Sequence, residues 1–130
     1  MEASIDQAER KWQAHGITSY RIEVLTVQSV WHAQSHQITV RDGKVIDQSA
    51  SCIPAPTEMG VCEVQPYKAE DYTVPGLFAK AHWMVENIQA RWMQINFDSQ
   101  YDFPSQISFD DPDAIDDDWA WRVMAFDPLK

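Results

Sequence analysis

The spacing of apolar residues predicts a helix near the start of the chain, over residues 4–15. Ile5, Ala8 and Trp12 recur there at the spacing of one helical face. Gly16 follows as a helix stop. This stretch is therefore expected to form an amphipathic helix that buries a single face.

A second helical pattern covers residues 74–89. Thr73 precedes it as the predicted N-cap, and Pro75 is compatible with the first turn of a helix. One apolar stripe should pack this helix against the rest of the molecule. The stripe consists of Val74, Leu77, Phe78, Ala81, Val85 and Ile88.

Alternation of apolar and polar residues predicts strands elsewhere. Between residues 18 and 27, Tyr20 and Ile22 would face one side of a sheet. A hairpin follows, with Asp42-Gly43 as its turn, since both turn positions require a positive φ. The hairpin strands are predicted over residues 37–41 and 44–48, and later strands over residues 91–98, 105–110 and 120–127.

The predicted element order is α-β-β-β-α-β-β-β. Hairpins favour antiparallel pairing, and two helices on one face of a six-stranded antiparallel sheet form a two-layer α+β domain. The 130 residues are expected to form a single domain covering residues 1–130. The second face of the sheet would then stay open.

Residues 49–72 are predicted to be a long loop that contains both cysteines. Cys52 and Cys62 lie ten positions apart among turn-forming residues. A disulfide, two free thiols and a metal site are the possible interpretations. A disulfide is favoured, because a short loop can bring the sulfurs together and no further ligand stands at metal-site spacing. The bridge would order the loop and indicate an extracytoplasmic protein, whereas free thiols would leave a cytoplasmic location open.

The net charge of −10 limits the classes of partner. A phosphate backbone would be repelled, which argues against nucleic-acid binding. No apolar stretch approaches the length of a membrane span. The charge suits a cation or a basic protein as partner.

An acidic loop over residues 110–118 separates the last two predicted strands. Its carboxylates could bind Ca²⁺, but it lacks the Gly and Glu of an EF-hand loop. A solvated turn is therefore the favoured interpretation. The candidate Ca²⁺ ligands are Asp111, Asp113, Asp116 and Asp118.

No pattern of a catalytic or cofactor site is present, so no enzyme activity is predicted. His32 and His36 fall in a predicted loop, where their spacing carries no meaning. His82 and Glu86 are four positions apart on the second helix. They could form an acid–base pair, but a local hydrogen bond is the more common arrangement.

Most of the six tryptophans are expected in the core, but Trp31 and Trp83 could form an exposed binding patch. The open sheet face is the predicted binding platform. An open face without an exposed aromatic patch would argue against binding at this face. The outward residues expected to line it are Arg21, Glu23, Arg122 and Trp92.

Several motifs of the chain resemble those of a bacterial family, the domain of unknown function numbered 6174. They are RKWQAHGITSYRIEV, ITVRDGKV, TVPGLF, INFDSQYDFPSQISFDDPDAIDDDW and the terminal Pro128-Leu129. The resemblance implies a secreted protein or lipoprotein of the bacterial envelope without an assigned activity. It supplies no functional residues to carry over.

The sequence therefore favours a non-catalytic extracytoplasmic domain that binds a protein or an envelope component. A Ca²⁺-stabilised domain is the first alternative. A small acidic inhibitor or immunity-type protein, which would block a basic enzyme by charge complementarity, is the second.

Overall fold

A computed structural model of the chain describes residues 2–28, 32–53, 63–110 and 119–129. Short 3₁₀ turns lie at Ala69–Tyr72 and Ala90–Trp92. The helices are α1 (Glu2–Ala14) and α2 (Val74–Asn87), and the strands are β1 (Tyr20–Gln28), β2 (His32–Arg41), β3 (Lys44–Ile53), β4 (Met93–Phe97), β5 (Pro104–Phe109) and β6 (Trp119–Pro128). The predicted α+β class and the order α-β-β-β-α-β-β-β are confirmed.

The six strands form one antiparallel sheet with the order β3-β2-β1-β6-β5-β4. β1 and β6 pair at the centre, so the two three-stranded halves meet there. Ile22 lies opposite Ile38 on one side and Phe126 on the other. Because directly opposed residues share a face, this row forms part of the inner surface of the sheet.

The core lies between the helices and this inner surface. From α1 it receives Ile5, Ala8 and Trp12, as the helical spacing predicts. In the predicted stripe of α2, Val85 and Ile88 are only partly buried. The residues that α2 buries in the core are Val74, Leu77, Phe78, Ala81 and Met84. Neither described helix is long and apolar enough to cross a membrane.

β2 and β3 are longer than the sequence suggests. β2 begins at His32 rather than at residue 37, because its inward residues Gln34 and His36 are polar and hide the alternation. β3 continues to Ile53 through backbone pairing with β2. The prediction of a continuous loop over residues 49–72 is therefore wrong at both ends, since Cys52 lies in β3 and a 3₁₀ turn occupies residues 69–72.

The β2–β3 hairpin has the predicted turn. Asp42 and Gly43 have φ angles of 53° and 80°. The turn also packs against the segment before β1: Gly43 N–H donates to the Thr18 carbonyl at 2.9 Å, and Asp42 N–H donates to Ser19 Oγ at 3.0 Å. These bonds hold the hairpin tip against the segment that links α1 to β1.

Candidate functional site

The open face of the sheet is polar. Glu23 Oε1 accepts hydrogen bonds from Ser35 Oγ and Gln37 Nε2, each at 3.1 Å. Arg21 and Arg122 are exposed on this face, as predicted. The described part of this face therefore lacks the exposed aromatic patch that the predicted docking platform needs.

The aromatic residues considered for that platform lie elsewhere. Trp92 belongs to the turn before β4 rather than to a strand, and it is partly buried with the Arg91 guanidinium 4.8 Å from its ring centre. Trp83 is 47 % exposed on α2, on the helix side of the sheet. Its predicted companion, Trp31, lies outside the described residues.

A groove with a volume of about 810 Å³ opens on the helix side. This volume is in the range of ligand-binding clefts. Its floor is aromatic and aliphatic, because Trp12, Tyr20 and Val40 are almost fully buried beneath it. The groove is lined by Trp12, Ile17, Thr18, Tyr20, Val40, Gly43, Lys44, Val45, Glu70, Thr73, Pro75 and Gly76.

The floor of the groove is built from packed aromatic rings. Trp12 makes edge-on contacts with Tyr20 and Phe126, with ring centres 5.9 and 5.8 Å apart. Phe103 contacts the same indole at 6.2 Å. Aromatic rings packed in this way hold one arrangement and supply apolar contact area at little entropic cost.

The start of α2 forms one wall of the groove. Thr73 is the N-cap, as predicted, and its Oγ1 accepts a hydrogen bond from Gly76 N–H at 3.2 Å. Val74 N–H donates to the Tyr20 phenol at 2.9 Å. The amides of this helix start are thus occupied within the protein, which makes the wall a poor anion site.

The rim of the groove carries one charge of each sign, on the exposed residues Lys44 and Glu70. Burial raises the pKa of Tyr20 to about 12, partly offset by the hydrogen bond from Val74. The phenol therefore stays protonated near neutral pH. The apolar floor of the groove suits binding of apolar groups.

A second cleft, of about 260 Å³, surrounds Lys80. The Lys80 ammonium lies 4.5 Å from the ring centres of Trp83 and Trp119 and 5.0 Å from that of Trp121. Burial lowers the pKa of this amine, and the Asp71 carboxylate opposes the change. These contacts are cation–π interactions within the protein, so Trp83 already has an internal partner in Lys80.

His36 belongs to this second cleft and not to a loop, which corrects the sequence prediction. It lies within β2, is 1 % exposed, and stacks on Tyr72 with ring centres 4.0 Å apart. His32 lies four positions away at the start of β2, so the two histidines occupy one strand. The ring of His36 serves as an aromatic packing element of the inner surface.

His82 contacts α1 instead of the predicted Glu86. Its Nε2 atom lies 3.2 Å from Glu9 Oε1 and 3.9 Å from Asp6 Oδ1. Glu86 is exposed one turn further along α2. The i, i+4 spacing on one helix was misleading here because a closer carboxylate comes from another helix.

The remaining predicted residues lie largely outside the described part of the chain. Cys52 lies on β3 opposite Gln34 and is not a free thiol. Its predicted partner, Cys62, is outside the described residues, so the pairing stays a prediction. The same holds for the candidate Ca²⁺ ligands Asp111, Asp113, Asp116 and Asp118.

The chain belongs to a family of unknown function, DUF6174, whose sequence model matches residues 4–128. The resemblance seen in the sequence motifs is thereby confirmed at the level of the family. No curated protein and no solved structure matches the chain. The groove, rather than a relative, is consequently the basis for a functional assignment.

Proposed function

We propose that the protein is a non-catalytic extracytoplasmic binding domain. Its groove would accept apolar side chains from a segment of a basic partner protein. The observation that carries this proposal is the apolar groove floored by Trp12 and Tyr20. A preformed apolar pocket with a few polar groups at its rim is the usual form of a binding site.

The partner's charge follows from the charge of the whole chain. Lys44 and Glu70 balance each other at the rim, but the chain carries a net charge of −10. Such a field attracts a basic surface over a distance and speeds its association. An enzyme with a basic active-site surface would be one such partner, in which case the domain would act as an acidic inhibitor.

The extracytoplasmic location rests on two supports. The chain has two cysteines, Cys52 and Cys62, and disulfides persist in oxidising compartments. The resemblance to envelope proteins points in the same direction. Both supports concern the location of the protein, and neither bears on what the groove binds.

Selection from a displayed library of random peptides tests the proposal. We expect enrichment of peptides that combine two or more apolar anchor residues with a net positive charge. Their affinity should fall as salt is added, because charge attraction is screened. Enrichment of acidic peptides, or no enrichment over an unrelated acidic protein, would contradict the proposal.

A further inference from the structure

Three side chains meet where α1 contacts α2, away from both clefts. Asp6 and Glu9 are three positions apart on α1 and thus share one face of the helix. His82 approaches them from α2, with Nε2 at 3.2 Å from Glu9 Oε1 and 3.9 Å from Asp6 Oδ1. One ligand atom from each of the three residues lies within 4.8 Å of the other two.

These distances are close to those of a metal site. Zn²⁺ binds His nitrogen and carboxylate oxygen at about 2.0–2.2 Å, so neighbouring ligand atoms of a tetrahedral site lie about 3.3 Å apart. The contact between His82 and Glu9 already has this length, and the one between His82 and Asp6 exceeds it by a fraction of an ångström. Small rotations of these partly buried side chains would bring all three ligand atoms to coordination distance from one ion.

The donor set also indicates the kind of ion. Two carboxylates face one imidazole, so the cluster carries excess negative charge that a divalent cation would neutralise. An imidazole nitrogen disfavours Ca²⁺ and Mg²⁺, which take oxygen ligands, and suits Zn²⁺, Co²⁺ or Ni²⁺. Among the described residues the site has three protein ligands, which leaves one position of a tetrahedral ion for water or an external ligand.

We propose that Asp6, Glu9 and His82 form a binding site for a divalent transition-metal ion such as Zn²⁺. The ion would join α1 to α2 and stabilise the fold by binding only the native state. This site is separate from the groove, and its existence does not depend on the proposed function. A simple His–carboxylate ion pair is the alternative arrangement of the same three residues.

Calorimetric titration of the metal-free protein with Zn²⁺ tests the site, with Co²⁺ absorption as a second readout. We expect saturable binding of one ion, a higher melting temperature with Zn²⁺, and a visible Co²⁺ band of a site with a nitrogen ligand. His82→Gln and Glu9→Gln should each weaken binding at least about tenfold. Two ligand variants are used so that a folding defect in one, seen by circular dichroism, does not decide the result.

The controls separate this site from other acidic groups. Glu86→Gln changes an exposed carboxylate on α2. His15→Gln removes an imidazole that lies 3.0 Å from the Asp102 carboxylate, outside the proposed site. The double variant Asp116→Asn and Asp118→Asn reports on the acidic loop. All controls should keep the affinity of the wild type within about twofold, since no proposed ligand is lost. Absence of saturable Zn²⁺ binding, or equal binding by His82→Gln, would overturn the proposal.

Discussion

Val74 donates its backbone N–H to the phenolic oxygen of Tyr20 across 2.9 Å, which joins the first turn of α2 to β1. Tyr20 is 2 % exposed and forms part of the groove floor. A helix start is thereby held against the sheet by one buried hydrogen bond. The position of the groove wall depends on this contact.

Tyr20→Phe should lower the free energy of unfolding by about 1–2 kcal/mol, because a buried N–H loses its acceptor. Denaturant unfolding at neutral pH measures this loss. Tyr101→Phe changes a partly buried tyrosine outside the core and should cost less. Equal losses in the two variants would contradict the structural role given to Tyr20.

The pKa of Tyr20 makes stability depend on alkaline pH. Since the folded pKa is about 12 against an ordinary value of 10.0, the protonated phenol stabilises the fold fully below pH 10. This contribution is lost as pH rises from 10 towards 12. Burial also raises the pKa of Tyr72, so Tyr20→Phe should reduce the alkaline loss of unfolding free energy without abolishing it. A variant with an unchanged pH profile would count against the prediction.

Gly76→Ala should destabilise the protein by at least about 2 kcal/mol through overpacking. A Cβ at this position would lie 2.6 Å from the Asp71 carbonyl oxygen and would also meet the Glu70 carbonyl. Gly→Ala in an ordinary helix has the opposite sign and stabilises by up to about 1 kcal/mol. Ala79→Gly, at an exposed position of the same helix, is the control for that propensity. Thermal unfolding measures the stability of both variants. A Gly76→Ala variant as stable as the wild type would contradict the close contact between position 76 and the carbonyls of Glu70 and Asp71.

Lys80 should titrate at a lower pH than an ordinary lysine, because its ammonium is partly buried among tryptophan rings. NMR of the lysine Cε resonances follows this titration directly. Asp71→Asn should lower the midpoint further, since the Asp71 carboxylate favours the charged amine. A midpoint at or above the ordinary value of 10.5 would contradict the lowered pKa of Lys80.

Counting the reactive thiols of the protein tests the predicted Cys52–Cys62 disulfide. Denatured, unreduced protein should contain no reactive thiol, whereas two thiols would exclude the bridge. If the bridge forms, replacing both cysteines with serine should lower the free energy of unfolding by about 2–3 kcal/mol. The double variant avoids an unpaired cysteine.

The elements of the fold follow from local patterns, and the exceptions have a tertiary cause. The Asp42-Gly43 turn and the Thr73 cap were predicted because each depends on its own backbone. The start of β2 was missed because inward Gln34 breaks the apolar alternation. Its amide is satisfied by the backbone of Gln65, 31 positions away, with bonds of 2.8 and 3.2 Å.

The candidate sites were less predictable for the same reason. Trp12 was expected on the apolar face of the first helix and Tyr20 on one face of a strand. Nothing local indicates that Thr18 and Pro75 line one groove with them. His82 was paired with Glu86 by helical spacing, while its observed partner Glu9 lies 73 positions away. Long-range packing decides both arrangements, and a single sequence carries no direct signal for it.

The groove is the central claim, and a matched pair of arginine substitutions tests it most directly. Thr18 is exposed at the groove, and Thr39 lies on the open sheet face opposite Arg21. Isothermal titration with a selected basic peptide compares Thr18→Arg and Thr39→Arg with the wild type. We predict at least about tenfold weaker binding for Thr18→Arg, through blocked access and charge repulsion, and a change within about twofold for Thr39→Arg. Equal effects of the two substitutions, or loss of binding only in Thr39→Arg, would contradict the account.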